Sequence, residues 1–505
     1  LVFSDDDMRA MLSVRAAFDP SGLCNPGKII PLLKGCGEAR AVAEVKSAAR
    51  GTFEGNGSEG ESAQLKIEAP SVDVASKVSK RTTRGTLDPS AALAGAVGSE
   101  HVGVSATGDD TSAFVVEPAT FGEVCEVLRL AESECWTVAP AGACTWLDAG
   151  ETREPANVIL KTTRMSRLVE HEPADLVATA EAGLTLADFN REVGRAGQWL
   201  PLDPPAAESA TLGGVVATGL AGAQVFGYGP PRSHVLGMRV ALAGGRLIKA
   251  GGRVVKNVAG YDLCKLFTGS HGTLGVVLEV TFRLRPRPRR EATLVTRSRD
   301  LNVLVGAARA LTGSQLLPVA VELLSPSLAE EVCAVDDGGF FCLLARFAGT
   351  EGAVEYQLER AAELFEEFVK DGAAERVEDD DALWTRLSST GARGDAPLVW
   401  RASVLPSALG GLLARLGGEY GRWHAGAGDG RLRVFEEARD DDKSLLFLRD
   451  MREAARAAGG SLVVERAPDV LKRELGAWGL NESSAFLTER LKERLDPSDT
   501  FARRF

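Results

Sequence analysis

The chain has 505 residues, a formal net charge of -12 and 45% apolar residues, enough for two or three domains around a large core. The acidic balance disfavours a nucleic-acid binder, since phosphate backbones are met by basic faces, but a few backbone N–H groups can still hold one anionic cofactor. Eight scattered cysteines without a C-x-x-C pair argue against an iron–sulfur cluster or structural zinc in this chain, and no apolar run reaches membrane-spanning length.

In chain order, residues 1–34 read as a tail segment: a helix from Asp6 to Phe18, then a Pro/Gly-rich exit ending at Pro31. Residues 35–108 are rich in Ala, Ser, Gly and charge and read as a linker, mostly disordered. Order returns with a strand at 113–118. A helix from Thr120 to Glu132 places Phe121, Val124, Val127, Leu128 and Leu130 on one face. Short strands follow at 137–140, 158–161 and 176–183, then an amphipathic helix over 186–197. A Gly-dense stretch runs to about Gly275 and gives way to a strand over 276–286. From Glu291 onward strands and helices alternate, which predicts an α+β cap domain with helices packed on an antiparallel sheet. VRAAFDPS (14–21) and LKERLDPS (491–498) echo one another, each a basic amphipathic helix ahead of Asp-Pro-Ser.

Three stretches carry the chemistry. VAPAGACTWLDAG (138–150) ends a strand at Pro140 and continues in small residues, which let successive N–H groups approach a pyrophosphate. An ordinary small-residue turn would read the same way. PLDPPAAESATLGGVVATGLAG (201–222) suits close packing against a flat cofactor, or a small-residue helix buried on a sheet, and both can hold together. GGRVVKNVAGYDLCKLFTGSHGTLGVVLEV (251–280) has two tight turns leading into a strand. None is a G-x-G-x-x-G or Walker motif, so neither a Rossmann site nor a P-loop is indicated.

In this order and spacing, PAGACTW (140–146), LGGVVATGLAG (212–222), YGPPRSHVLG (228–237), VVKNVAGYDL (254–263) and GSHGTLGVV (269–277) resemble the FAD-binding domain of the vanillyl-alcohol oxidase/p-cresol methylhydroxylase superfamily. Within it the likeness is to the smaller flavin-binding subunit of bacterial glycolate oxidases. The resemblance implies a two-subdomain FAD-binding domain over 109–290 and a cap over 291–505. It implies that Ala141, Gly142, Ala143, Cys144, Thr145 and Trp146 bind the FAD pyrophosphate. Pro204, Thr211, Gly213 and Gly214 would lie along the pyrophosphate and ribityl chain. Gly272, Thr273, Gly275, Val276 and Val277 would present backbone to the adenine end, with Asn257, Tyr261 and Asp262 near the cofactor face. His271 stands beside the adenine-end loop, a position that argues against a covalent link to flavin. FDPSGLCNPGKIIP (18–31) resembles the C-terminal end of the larger, catalytic glycolate oxidase subunit, as in a fusion or gene join.

Relatives of that larger subunit carry a metal signature resembling H-A-G-D-G-N-x-H. Here WHAGAGDGRLRV (423–434) keeps His424 but has Arg433 where a second His would stand, and a guanidinium cannot ligate a metal. No metal site is expected, and 424–430 reads as a Gly-rich hairpin. Oxidising a 2-hydroxy acid needs a base for the hydroxyl proton and a cation for the carboxylate. The candidates are His424, Arg466 and Arg232. Arg232 is read rather as support for the cofactor domain and Arg466 as half of a surface or interdomain pair with Glu465. The resemblance implies a cytoplasmic flavoprotein that oxidises glycolate or D-lactate. It would pass electrons to an iron–sulfur subunit in a complex with the larger flavoprotein, at the inner face of the membrane through that complex. Two other readings stand: a non-catalytic FAD-binding scaffold for the larger subunit, and a sugar or aldonolactone oxidase relative.

Overall fold

The computed structural model describes residues 4–19, 88–106, 112–147, 156–252, 261–334, 339–370, 374–391, 396–416, 421–437 and 441–504. Helix α1 is Asp5–Phe18. Its N-terminus is closed by a capping box, Ser4 accepting from the Asp7 N–H while Asp7 accepts from the Ser4 N–H.

Helix α2 (Pro89–Val97) and strand β1 (Val102–Ala106) lie inside the stretch expected to be linker, so for 88–106 that expectation is corrected. The helix is nearly all small residues, which hid it. It docks by burying only Leu93 and Val97, in a cluster with Val116 and Leu128. The remainder of the expected linker, 35–87 and 107–108, lies outside the described residues.

Strands β2 (Ser112–Val116), β3 (Val138–Ala141) and β4 (Val158–Lys161) join β1 in a four-stranded sheet of order β1-β2-β4-β3. The β2–β4 and β3–β4 pairs are parallel, with helix α3 (Phe121–Ser133) as the connection from β2 to β3. Thr120 caps α3 by accepting from the Glu123 N–H at 3.2 Å, and Val124, Val127, Leu128 and Ala131 are buried beneath it.

A second subdomain is a five-stranded antiparallel sheet, β5 (Leu168–Glu172), β6 (Val177–Glu181), β10 (Val276–Arg283), β8 (Val235–Leu242) and β9 (Arg246–Gly251), in that spatial order. Helices α4 (Leu186–Gly194) and α5 (Leu212–Thr218) share its core, which includes Phe189, Val215, Val216 and Phe282. The ribbon β7 (Gln198–Trp199) with β11 (Arg285–Pro286) leads out of this unit.

The cap is the expected α+β unit, an eight-stranded antiparallel sheet of order β15-β12-β14-β13-β17-β18-β16-β19. Its strands are β12 (Arg290–Ser298), β13 (Ala320–Leu324), β14 (Phe341–Gly349), β15 (Glu375–Val377), β16 (Leu398–Ser403), β17 (Arg422–Gly426), β18 (Arg431–Glu436) and β19 (Ser461–Arg466). A buried ion pair pins it: Asp380 accepts from Arg346 Nε at 3.0 Å and Nη2 at 2.7 Å, and from Thr293 Oγ1 at 2.6 Å.

The expected cap boundary of 291–505 is too long, because the last residues leave the cap. Helix α6 (Glu482–Leu495) packs beside α1 on the cofactor domain: Leu495 joins Ala10, Met11 and Val14 in its core, and Arg490 donates to the Ala16 carbonyl at 3.1 Å. The two echoed segments also end alike: Asp19 (φ -132, ψ 72) and Asp496 (φ -133, ψ 66) cap their helices in one backbone conformation. Beyond α6, Phe501 bridges Val138 in parallel, extending the first sheet at β3.

Candidate functional site

The loop after β3 starts the site. Strand β3, buried at Val138 and Ala139, ends at Ala141 just past Pro140, and residues 141–145 are small, so the backbone lies open to the cavity in front of it. Cys144 has φ 61, a left-handed conformation unusual for a non-glycine residue and typical of turns that gather N–H groups into an anion-binding concavity. Across the cavity, Thr211 caps α5 by accepting from the Gly214 N–H at 3.2 Å. The approach of loop and helix is close enough to demand glycine: a Cβ on Gly142 would lie 1.9 Å from Thr211 Oγ1. On the other side of the helix, a Cβ on Gly213 would lie 2.7 Å from the Ala182 Cβ, so α5 sits flush on the sheet.

Ala141, Gly142, Ala143, Cys144, Thr145, Trp146, Thr211, Gly213, Gly214, Gly272, Gly275, Val276 and Val277 line this one cavity, so the structure brings together most of the residues singled out in the three stretches. Pro204, Thr273, Tyr261 and Asp262 stand outside its lining. Thr273 is buried in the turn before β10, donating to the Ser270 carbonyl at 2.7 Å. Asp262 caps the one-turn helix Leu263–Phe267, and Tyr261 packs on the core there. Pro204 is buried beside Asp203, which faces a neighbouring cleft. Asn257 lies outside the described residues. Sequence reasoning missed Thr162, Ala217, Thr218, His271 as a wall residue, and Arg504. His271 (φ 52) packs edge-on against Trp478, ring centroids 4.4 Å apart. Desolvation, with the Arg504 and Arg401 guanidiniums nearby, pushes its imidazole down to about 3, so it is neutral at physiological pH.

Thr145, Trp146 and His271 also line a second space together with Arg401, Arg433 and Glu465. Those last three line a third with His424, Arg431 and Asp203. Shared wall residues set the three spaces side by side, from the cavity to a charged cleft between cofactor domain and cap. The β17–β18 hairpin builds the cleft, as the Gly-rich reading of 424–430 anticipates, and pairs His424 directly with Arg433 across the strands. His424 Nδ1 meets Glu322 Oε2 at 2.9 Å, and its ring stacks on Phe435. Arg431 donates to Asp429 at 2.8 Å and to the Ala221 carbonyl of the cofactor domain at 3.0 Å. Glu465 lies between two guanidiniums, accepting from Arg433 Nε at 2.8 Å and Arg401 Nε at 3.1 Å. Burial alone would raise the Glu465 pKa, but these two cations hold it below the usual range. Asp203 has no such pair. Desolvation pushes it up to about 6, against an accepted hydrogen bond from the Gln224 N–H.

Of the catalytic candidates, His424 lines the charged cleft and Arg466 the space beside the cofactor cavity, Arg466 also donating to the Ala396 carbonyl at 3.0 Å. The expected Arg466–Glu465 pair gives way to Arg401 and Arg433 as the partners of Glu465. Arg232 is exposed in the turn before β8. Among the described residues no group of three or more His, Cys, Asp and Glu side chains is arranged to hold a metal. No helix among them is long and apolar enough to cross a membrane.

Residues 112–251 match the FAD binding domain family, and residues 2–29 match the C-terminal domain of FAD linked oxidases. Glycolate oxidase subunit GlcE of Escherichia coli (strain K12) is 37% identical over 189 residues, 37% of this chain and 49% of that protein. Glycolate oxidase subunit GlcD of Bacillus subtilis (strain 168) is 30% identical over 210 residues, 42% of this chain and 45% of that one. The chain thus spans about half the length of these curated relatives. The structure of p-cresol methylhydroxylase with substrate bound superposes with a TM-score of 0.64 at 16% identity, over 82% of this chain and 95% of that one. Residues 112–251 therefore form an FAD-binding domain, within a chain that shares its fold with p-cresol methylhydroxylase.

Proposed function

We propose that this chain is an FAD-dependent oxidoreductase subunit that oxidises a 2-hydroxy acid, glycolate or D-lactate, to the 2-oxo acid within a glycolate oxidase-like complex. The observation that carries this is adjacency: Trp146 and His271 wall both the cofactor cavity and the arginine-lined space beside it. The cavity suits FAD. Apart from Trp146, Leu147, His271 and Arg504 its lining is backbone and small side chains, with no carboxylate to repel a diphosphate among the described residues. Ala141 to Trp146 would hold the pyrophosphate, Thr211 to Gly214 the ribityl chain and Gly272 to Val277 the adenine end. FAD, when bound, supplies the hydride acceptor.

The chain's own residues supply the rest. Arg401, Arg433 and Arg466 line the space beside the cofactor cavity with Glu465 as its single carboxylate, leaving net positive charge there for a substrate carboxylate. His424 is the base for the hydroxyl proton. Its Nδ1 is engaged by the Glu322 carboxyl at 2.9 Å, which leaves Nε2 as the nitrogen available for that role. The larger flavoprotein and an iron–sulfur subunit would be the partners, on the cytoplasmic side of the membrane. Support comes from the match of residues 2–29 to the C-terminal domain of FAD linked oxidases.

The test is spectroscopic. The purified chain should carry flavin absorbance and bleach anaerobically on addition of glycolate or D-lactate. A colourless chain would defeat the FAD assignment. A yellow chain that bleaches only when the larger subunit is added would favour the scaffold reading. The cation Arg433 standing across from His424, where a metal site of the catalytic relatives would need a ligand, favours that second reading.

A further inference from the structure

The cofactor cavity has one wall that does not belong to the FAD-binding domain. Arg504 lines it, although it lies far beyond the matched segment 112–251. It is placed there by a strap that begins at the end of α6. Asp496 receives the N–H groups of Thr500 and Phe501, both at 2.8 Å, which turns the chain back on itself. The buried ammonium of Lys492 ties this turn to the cofactor domain, donating to Asp496 at 2.5 Å, to the Phe501 carbonyl at 2.8 Å and to the Thr273 carbonyl at 2.9 Å. Residues 500–502 then run along β3: the Val138 N–H donates to the Thr500 carbonyl at 2.7 Å, and the Ala502 N–H to the Val138 carbonyl at 2.9 Å. The side chain of Phe501 is fully buried. Two residues on, Arg504 Nη1 donates to the Leu147 carbonyl at 2.7 Å, at the far end of the loop that starts at Ala141. Its own carbonyl accepts from Trp478 Nε1, and Trp478 packs on His271, another residue of the cavity lining.

Among the described residues lining the cavity, Arg504 is the only cation, and there is no carboxylate. A diphosphate brings two negative charges into a chain whose net charge is already -12, so a fixed local cation matters. We infer that Arg504 is a cofactor-binding residue, its guanidinium held over the Ala141–Leu147 loop by the C-terminal strap to receive the pyrophosphate of the bound dinucleotide. The inference rests on the FAD assignment of the cavity. Lys492 is a positioning residue, acting through the strap.

The experiment uses the full chain freed of flavin, titrated with FAD by fluorescence quenching at two salt concentrations. R504A should bind FAD about ten- to a hundredfold more weakly and with a shallower salt dependence, as loss of one charge-assisted contact implies. R504Q, which keeps a donor for the Leu147 carbonyl without the charge, should bind as weakly as R504A, and R504K should recover most of the affinity. The flavin-free melting temperature should be unchanged in all three. FAD binding by R504A within about twofold of the parent would overturn the proposal. So would full affinity in R504Q, or a melting temperature that falls and recovers in step with affinity, since either makes Arg504 a mere tie for the loop. A parent chain that takes up no FAD defeats the cavity's assignment instead, which keeps the two failures apart.

Discussion

Replacing Gly142 by Ala tests whether loop and helix close on each other as tightly as the cavity requires. The added Cβ would lie 1.9 Å from Thr211 Oγ1 where ordinary contact begins at 3.4 Å, so 1.5 Å must be found. Rotating Thr211 offers no escape. Its Cβ would be 3.0 Å and its Cγ2 3.1 Å from the new methyl, so turning the side chain exchanges one crowded atom for another. It would also break the cap on the Gly214 N–H. The cost is overpacking of about 1–3 kcal/mol plus about 1 kcal/mol for the lost cap. Thr211→Ala alone should cost about 1 kcal/mol through the cap, yet in that background Gly142→Ala meets only the Cβ and should cost less than about 1 kcal/mol. A double-mutant cycle by urea unfolding of the flavin-free chain should therefore show the double variant more stable than the sum of the singles by about 2 kcal/mol. FAD affinity of Gly142→Ala should fall at least about tenfold, because the displaced loop is the one proposed to hold the pyrophosphate. Additivity within about 0.5 kcal/mol would refute the reasoning, since the two residues would then not be in contact.

Three other perturbations probe separate parts of the molecule. Asp380→Ala leaves Arg346 buried with only Glu291 and Asp381 near, and should destabilise the cap by about 3 kcal/mol in urea unfolding followed by tryptophan fluorescence. A loss below about 1 kcal/mol would show the pair to be hydrated. Asp203→Asn should stabilise the chain at pH 8 by about 1–3 kcal/mol and have little effect at pH 4. The sign follows from the raised pKa: Asp203 is protonated in folded and unfolded chains below about 3.8, and its ionisation penalises the fold as pH rises through about 6. Equal stability differences at the two pH values would contradict this. Met11→Ala, at a side chain 2% exposed on the face of α1 that meets the cofactor domain, should cost about 2–4 kcal/mol and expose α1 to limited proteolysis before the rest of the chain. Unchanged proteolysis would mean that α1 does not depend on that face.

Legibility in the sequence followed the range of the interaction responsible. VILK reads as a strand at 158–161 and is one at those residues, because a short apolar run between polar turns has few alternatives. The helix at 121–133 was readable from its 3.6-residue apolar spacing, and the hairpin at 424–430 from its glycines. The helix at 89–97 escaped notice because small residues give no periodic contrast; it is held by the partners of Leu93 and Val97, which no local pattern records. Asp262 and Thr273 sat in the right motifs, but their side chains serve a helix cap and a turn rather than the cavity.

By itself the sequence determined many of the elements from residue 112 onward and the three small-residue segments that make the cavity, since these depend on neighbours a few positions apart. The tertiary structure alone decided what stands opposite those segments. Thr211 meets Gly142, Asp203 faces the arginines of the cap, and Arg504 reaches the loop ending at Leu147. Each of these contacts joins residues tens to hundreds of positions apart, and a side chain's surroundings at that range are set by packing, which leaves no periodic trace in the chain.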